Sequence, residues 1–96
     1  MSPSESLRTH RQTIREIVAR HLARNARVFG SVARGDDTDG SDIDLLVDPL
    51  PGATLLDLGA LQIELEDALG LRVDLLTPDD LPPTFRERVL REAVAV

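Results

Sequence analysis

The sequence predicts one small α/β unit, in which short aliphatic strands alternate with amphipathic helices. Three observations carry that reading. Apolar residues recur at helical spacing before residue 27 and again between residues 54 and 69. Short apolar runs of strand length lie at Arg27–Phe29, Ile43–Val47 and Leu71–Leu76. Glycine and proline stand between these segments. A chain of 96 residues supports one core and is too short for a second, so residues 1–96 read as a single domain.

The first element reads as a helix from about Ser4 to Ala26, with Leu7, Ile14, Ile17, Val18 and Leu22 on one stripe. His10 and His21 lie on or beside that stripe. Eleven residues of helix separate them by roughly 16 Å, too far to share a metal, so they read as edge-of-core or interface residues. Arg27–Phe29 is a short strand ending at Gly30, and Ser31–Arg34 is a brief helix. Gly35–Ser41 is an acidic loop containing the turn dipeptide Asp39-Gly40, and its acids, with Asp48, read as solvated. Ile43–Val47 forms the next strand, stopped by Pro49 and Pro51. Thr54 and Asp57 are spaced as a capping box opening a helix that buries Leu58, Leu61, Leu65 and Leu69 and ends at Gly70. Leu71–Leu76 is the third strand. Pro78, Pro82 and Pro83 precede a last helix, for which Thr84 and Glu87 look like a second capping pair.

Composition narrows the function classes. The absence of cysteine rules out disulfides and Cys-based zinc sites. No apolar stretch approaches the roughly 20 residues of a membrane span and no leader opens the chain, so a cytoplasmic protein with no membrane association is expected. The net charge of −6 opposes general nucleic-acid binding, and with Phe29 and Phe85 as the only aromatics base stacking is not expected. The charge is uneven: residues 1–27 carry +4 and the remainder −10, and every cation is arginine. Codon bias accounts for that usage, while an arginine-bearing helix that docks on an acidic partner is the sharper alternative.

The chemistry concentrates in GSVARGDDTDGSDID, from Gly30 to Asp44. Gly30 allows a phosphate to approach the backbone, and Ser31 adds a hydroxyl at a helix start whose free N–H groups suit phosphate oxygens. Arg34 is placed to pair with a triphosphate as a forked donor. On a strand Asp42 and Asp44 share a face with Ile43 turned to the core, their Cβ atoms about 6.6 Å apart. That spacing brackets a pair of Mg²⁺ ions about 3.5–4 Å apart. Asp74, inside the apolar run RVDLL, is costly to bury unless it binds something, and on a neighbouring strand it would join the same cluster. Three such acids repel one another unless a cation neutralises them. Each part has a plainer reading on its own (a turn, a loop end, a surface charge). Their order on these elements points to a metal–nucleotide site.

This Gly-Ser, ten-residue, Asp-x-Asp pattern with a later strand aspartate resembles the nucleotidyltransferase superfamily of DNA polymerase β, and GSVARGDDTDGSDIDLLVD resembles its minimal nucleotidyltransferases. The resemblance implies a mixed sheet flanked by helices and transfer of a nucleoside monophosphate from an NTP. It implies that Gly30 and Ser31 hold the triphosphate, that Asp42 and Asp44 bind Mg²⁺, and that Asp74 completes the site and helps deprotonate the attacking hydroxyl. It further implies an antitoxin of the MntA type, which transfers AMP from ATP to a tyrosine of a small helical HEPN toxin encoded nearby. Transfer to a small hydroxyl compound such as an aminoglycoside, and neutralisation by binding alone, stay open. The Arg-rich first helix or the aliphatic last one would serve as the docking face.

Overall fold

A computed structural model describes residues 2–96 as a four-stranded mixed sheet with helices on both faces. In chain order the elements are α1 (Pro3–Thr9), α2 (Arg11–Arg20), β1 (Ala23–Phe29), α3 (Gly30–Arg34), β2 (Ile43–Pro49), α4 (Leu55–Leu69), β3 (Val73–Leu76), a 3₁₀ turn (Pro78–Asp80), α5 (Pro83–Glu92) and β4 (Val94–Ala95). Across the sheet the strand order is β3-β2-β1-β4. β2 runs antiparallel to β1 and parallel to β3, while β4 pairs antiparallel with β1.

The core is aliphatic, as expected. Ile43, Leu45 and Val47 of β2 pack with Ile14, Ile17 and Val18 of α2 and with Leu61, Leu65 and Leu69 of α4. The Thr54–Asp57 capping box is present, Gly70 closes α4 in the left-handed conformation, and Leu58 is half-buried rather than buried. The opposite edge of α4 leaves Leu55, Leu56 and Ile63 exposed.

Several expected boundaries move. The long first helix is two helices, broken at His10, whose ring Nδ1–H and backbone N–H both donate to the Ser6 carbonyl at 2.9 Å. That shared acceptor closes α1. An unforeseen Ser2–Glu5 capping box, with proline in the first turn, opens it. The second helix stops at Arg20, and His21 turns its Nε2 toward Glu64 of α4 at 3.4 Å. Leu22 leaves the predicted stripe altogether, adopting φ 57° and standing exposed. β1 therefore starts at Ala23. Asn25, at φ 57°, sits in a bulge between Arg24 and Arg27 that hides the strand alternation.

β3 starts at Val73 rather than Leu71. Thr84 is not a cap, because α5 already begins at Pro83, where the fixed φ of proline suits a first helical position. The turn before it is held instead by Thr77 and Asp80, with the Thr77 N–H and hydroxyl donating to the Asp80 carboxylate at 2.9 and 3.0 Å. Asp48 and Asp37, read as solvated, have partners. Asp48 accepts from Arg27 at 3.1 Å and from Asn25 at 2.9 Å. Asp37 accepts from the Ser4 N–H at 3.0 Å and from its hydroxyl, tying the acidic loop to α1. These bonds hold both carboxyls below the usual aspartate range.

Candidate active site

One rim of the sheet collects the chemistry. The C-terminal end of β1 and the N-terminal ends of β2 and β3 meet there, because β1 runs opposite to its two neighbours. Phe29, Asp44 and Asp74 are direct register partners across the three strands. Register puts their side chains on one face, with Asp44 and Asp74 about 4.8 Å apart in the pairing direction. Asp42 lies one residue before β2, since the ladder begins where the Ile43 N–H donates to the Arg72 carbonyl at 3.0 Å. It is exposed, and with Asp74 it faces a common cavity.

Gly30 is the tightest point of the site. It adopts φ +69°, and a Cβ added there would overlap the Asp44 carboxylate, with Cγ only 3.2 Å away. Only glycine lets the chain turn from β1 into α3 this close to an acid. Val32 anchors α3 in the core, Gly35 ends it, and Phe29 gives it no side-chain cap, so its first N–H groups face the rim unmasked by a cap. Ser31 is half-buried beside Gly30. Arg34 stands one turn on, its Nε donating to Asp36 at 3.3 Å; both groups are exposed.

The electrostatics match this crowding. Burial, then the charges of Asp74 and Asp42, then a hydrogen bond with Asp74 push the Asp44 carboxyl up to about 6, against the opposing pull of Arg34. The rim thus gathers like charges that a bound cation would relieve. Among the described residues no three carboxylate or imidazole groups stand close enough together to hold a metal ion by themselves. Open placement suits Mg²⁺, which retains water and takes substrate phosphate oxygens as ligands.

Asp74 departs from expectation in one respect: it is exposed rather than buried in its apolar run. As the second residue of the short edge strand β3, it turns to the rim while Val73 turns to the core. His10 and His21 lie at helix ends, and neither lines the rim cavity. Sequence reasoning overlooked Glu66, whose carboxylate accepts the Val73 N–H at 2.9 Å and pins the start of β3 next to Asp74. The signal was faint, an acid on the core-facing side of a helix otherwise read for its leucines.

Residues 8–96 match the model of the nucleotidyltransferase domain. The chain belongs to that family. It is 41% identical over 90 residues to the protein adenylyltransferase MntA of Thermococcus cleftensis, covering 94% of this chain and 88% of that one. It is 45% identical over 80 residues to a Methanocaldococcus jannaschii protein assigned as a protein adenylyltransferase, covering 83% and 86%. A solved structure described as a minimal nucleotidyltransferase superposes with a TM-score of 0.87 at 48% identity, over 97% of this chain and 95% of that one. A toxin–antitoxin structure with AMP-PNP shares the fold, with a TM-score of 0.74 at 21% identity over 88% and 69%. The α/β fold and the nucleotidyltransferase class inferred from the sequence both hold. No described helix of this nucleotidyltransferase is long and apolar enough to cross a membrane.

Proposed function

We propose that this nucleotidyltransferase transfers AMP from ATP to a tyrosine hydroxyl of a small helical HEPN toxin encoded nearby, and so acts as its antitoxin in the cytoplasm. The observation that carries the reading is the close approach of the Gly30 backbone to Asp44, where a Cβ would overlap the carboxylate, one strand from Asp74: a backbone cradle beside paired acids. The names of the Thermococcus and Methanocaldococcus relatives favour AMP and a protein acceptor.

Gly30 and Ser31 bind the β- and γ-phosphates through backbone N–H groups and the serine hydroxyl, and Arg34, once released from Asp36, pairs with them as a fork. Asp42, Asp44 and Asp74 would hold Mg²⁺, in two ions, and the close approach of the Gly30 backbone to the Asp44 carboxylate supports that reading. Bound there, Mg²⁺ neutralises charge on the triphosphate and the entering oxygen. Asp74 orients the acceptor hydroxyl and takes its proton. The acceptor oxygen forms a bond to the α-phosphorus as the bond to the α–β bridging oxygen breaks, and pyrophosphate leaves toward Gly30 and Ser31. Positioning and charge compensation do most of the work, as in phosphoryl transfer generally.

The test combines the purified protein with the neighbouring gene product, Mg²⁺ and ATP, followed by intact-mass spectrometry. The partner gains one or more AMP masses, and Asp42→Ala/Asp44→Ala abolishes the gain. Neutralisation that survives the double variant with no added mass would replace this reading with neutralisation by binding.

A further inference from the structure

A polar cavity of about 310 Å³ opens outside edge strand β3, lined by Asp42, Gln62, Glu66, Arg72, Val73 and Asp74. Its place on the rim is informative. Moving across the sheet, the order is Gly30 at the exit of β1, Asp44 on β2, Asp74 on β3, and then this cavity. In an in-line displacement the entering and leaving oxygens lie on opposite sides of phosphorus. With the leaving pyrophosphate at Gly30, the acceptor enters from the β3 side.

The side chains in the cavity are not equally free. Asp42 and Asp74 belong to the acid cluster, and Glu66 is engaged with the Val73 N–H at 2.9 Å. Arg72 is the one cation of the lining; it is exposed and makes no ion pair among the described residues. Gln62, on the adjoining turn of α4, adds an amide with both donor and acceptor. With Asp42 and Asp74 assigned to the acid cluster and Glu66 to the Val73 N–H, the Arg72 guanidinium is the charged group of the lining left to pair with a ligand carboxylate.

We propose that this cavity is the acceptor site, and that it selects a hydroxyl-bearing peptide segment with a carboxylate close to the hydroxyl, Arg72 pairing with that carboxylate and Gln62 with the adjacent peptide backbone. The inference rests on the nucleotidyltransferase reading of the rim and specifies its acceptor. Gln62 and Arg72 are specificity residues in this scheme. They act on acceptor binding and leave the nucleotide alone.

Two probes test it: the peptides Ac-Gly-Tyr-Glu-NH₂ and Ac-Gly-Tyr-Lys-NH₂, titrated into the full chain with Mg²⁺ and a non-hydrolysable ATP analogue. Side-chain NMR signals of Arg72 Nε–H and the Gln62 amide report binding, and AMP transfer from ATP is followed in parallel. The Glu peptide binds about tenfold more tightly than the Lys peptide, the discrimination expected of one charge-assisted pair. Arg72→Glu removes or reverses that preference, Arg72→Lys keeps part of it, and affinity for the ATP analogue changes by less than about twofold. Binding of neither peptide, or a preference indifferent to Arg72→Glu, would overturn the assignment. So would a loss of ATP-analogue affinity in step with the peptide's, which would make the cavity part of the nucleotide site. Peptide discrimination without AMP transfer would leave the cavity assignment standing and count against the transferase reading instead.

Discussion

At Gly30 two requirements coincide: the backbone must take φ +69°, and the space over its Cα is filled by the Asp44 carboxylate. Gly30→Ala is expected to cost about 1–3 kcal/mol of stability. It should also lower transfer at least about tenfold by displacing Asp44. Urea unfolding and a transfer assay measure the two effects separately. Asp44 itself makes stability depend on pH. Its folded pKa of about 6 lies above the ordinary aspartate value of 3.8, so the folded state holds its proton more tightly. Its contribution to stability is present below the unfolded value and is lost as pH rises from 3.8 through about 6. Removing the charge abolishes that loss. Metal-free Asp44→Asn should therefore be more stable than the parent at pH 7, by about 1 kcal/mol after allowing for screening by water, and show no advantage at pH 4. Urea unfolding at the two pH values checks the sign.

Elements differ in how openly the sequence announced them. α4 was legible because its start, buried stripe and stop are all local: the Thr54–Asp57 box, leucines at helical spacing, and Gly70. Thr54→Ala should cost about 1 kcal/mol and lower Tm by about 4–8 °C in a domain of this size. Differential scanning calorimetry reads that shift. β4 was not legible, since two residues carry no alternation and exist as strand only by pairing with Arg27 and Val28. The division of the first helix was hidden for a similar reason. The apolar stripe runs on through the break, and the competition of His10 for the Ser6 carbonyl is visible only in three dimensions. The bulge at Asn25 masked the first half of β1.

For the molecule as a whole, the site was more legible than the fold around it. Gly30, Ser31, Asp42 and Asp44 lie within one short segment, so chain order nearly dictates their proximity. Asp74 needed the sheet, and its parallel register with Asp44 supplied the proximity that spacing had only suggested. The cavity beyond Asp74 was out of reach of sequence reading, because Gln62 and Glu66 come from α4 and Arg72 from the approach to β3. On the proposed reading, the acid cluster makes the domain responsive to divalent cations. Millimolar Mg²⁺ should raise Tm by relieving repulsion around Asp44, and the rise should vanish in Asp42→Ala/Asp44→Ala. A flat melting temperature across a thermal-shift titration would count against a shared cation site.

On the proposed function, this rim transfers a nucleotide rather than a terminal phosphate. The direct measurement follows radiolabel from ATP to the acceptor protein, with the label placed at either the α- or the γ-phosphate. The arrangement of Gly30, Asp44 and Asp74 predicts that α-label appears on the acceptor in a Mg²⁺-dependent manner, while γ-label leaves only as pyrophosphate. Transfer of γ-label to the acceptor, or no transfer of α-label under conditions where ATP binds, would contradict the account.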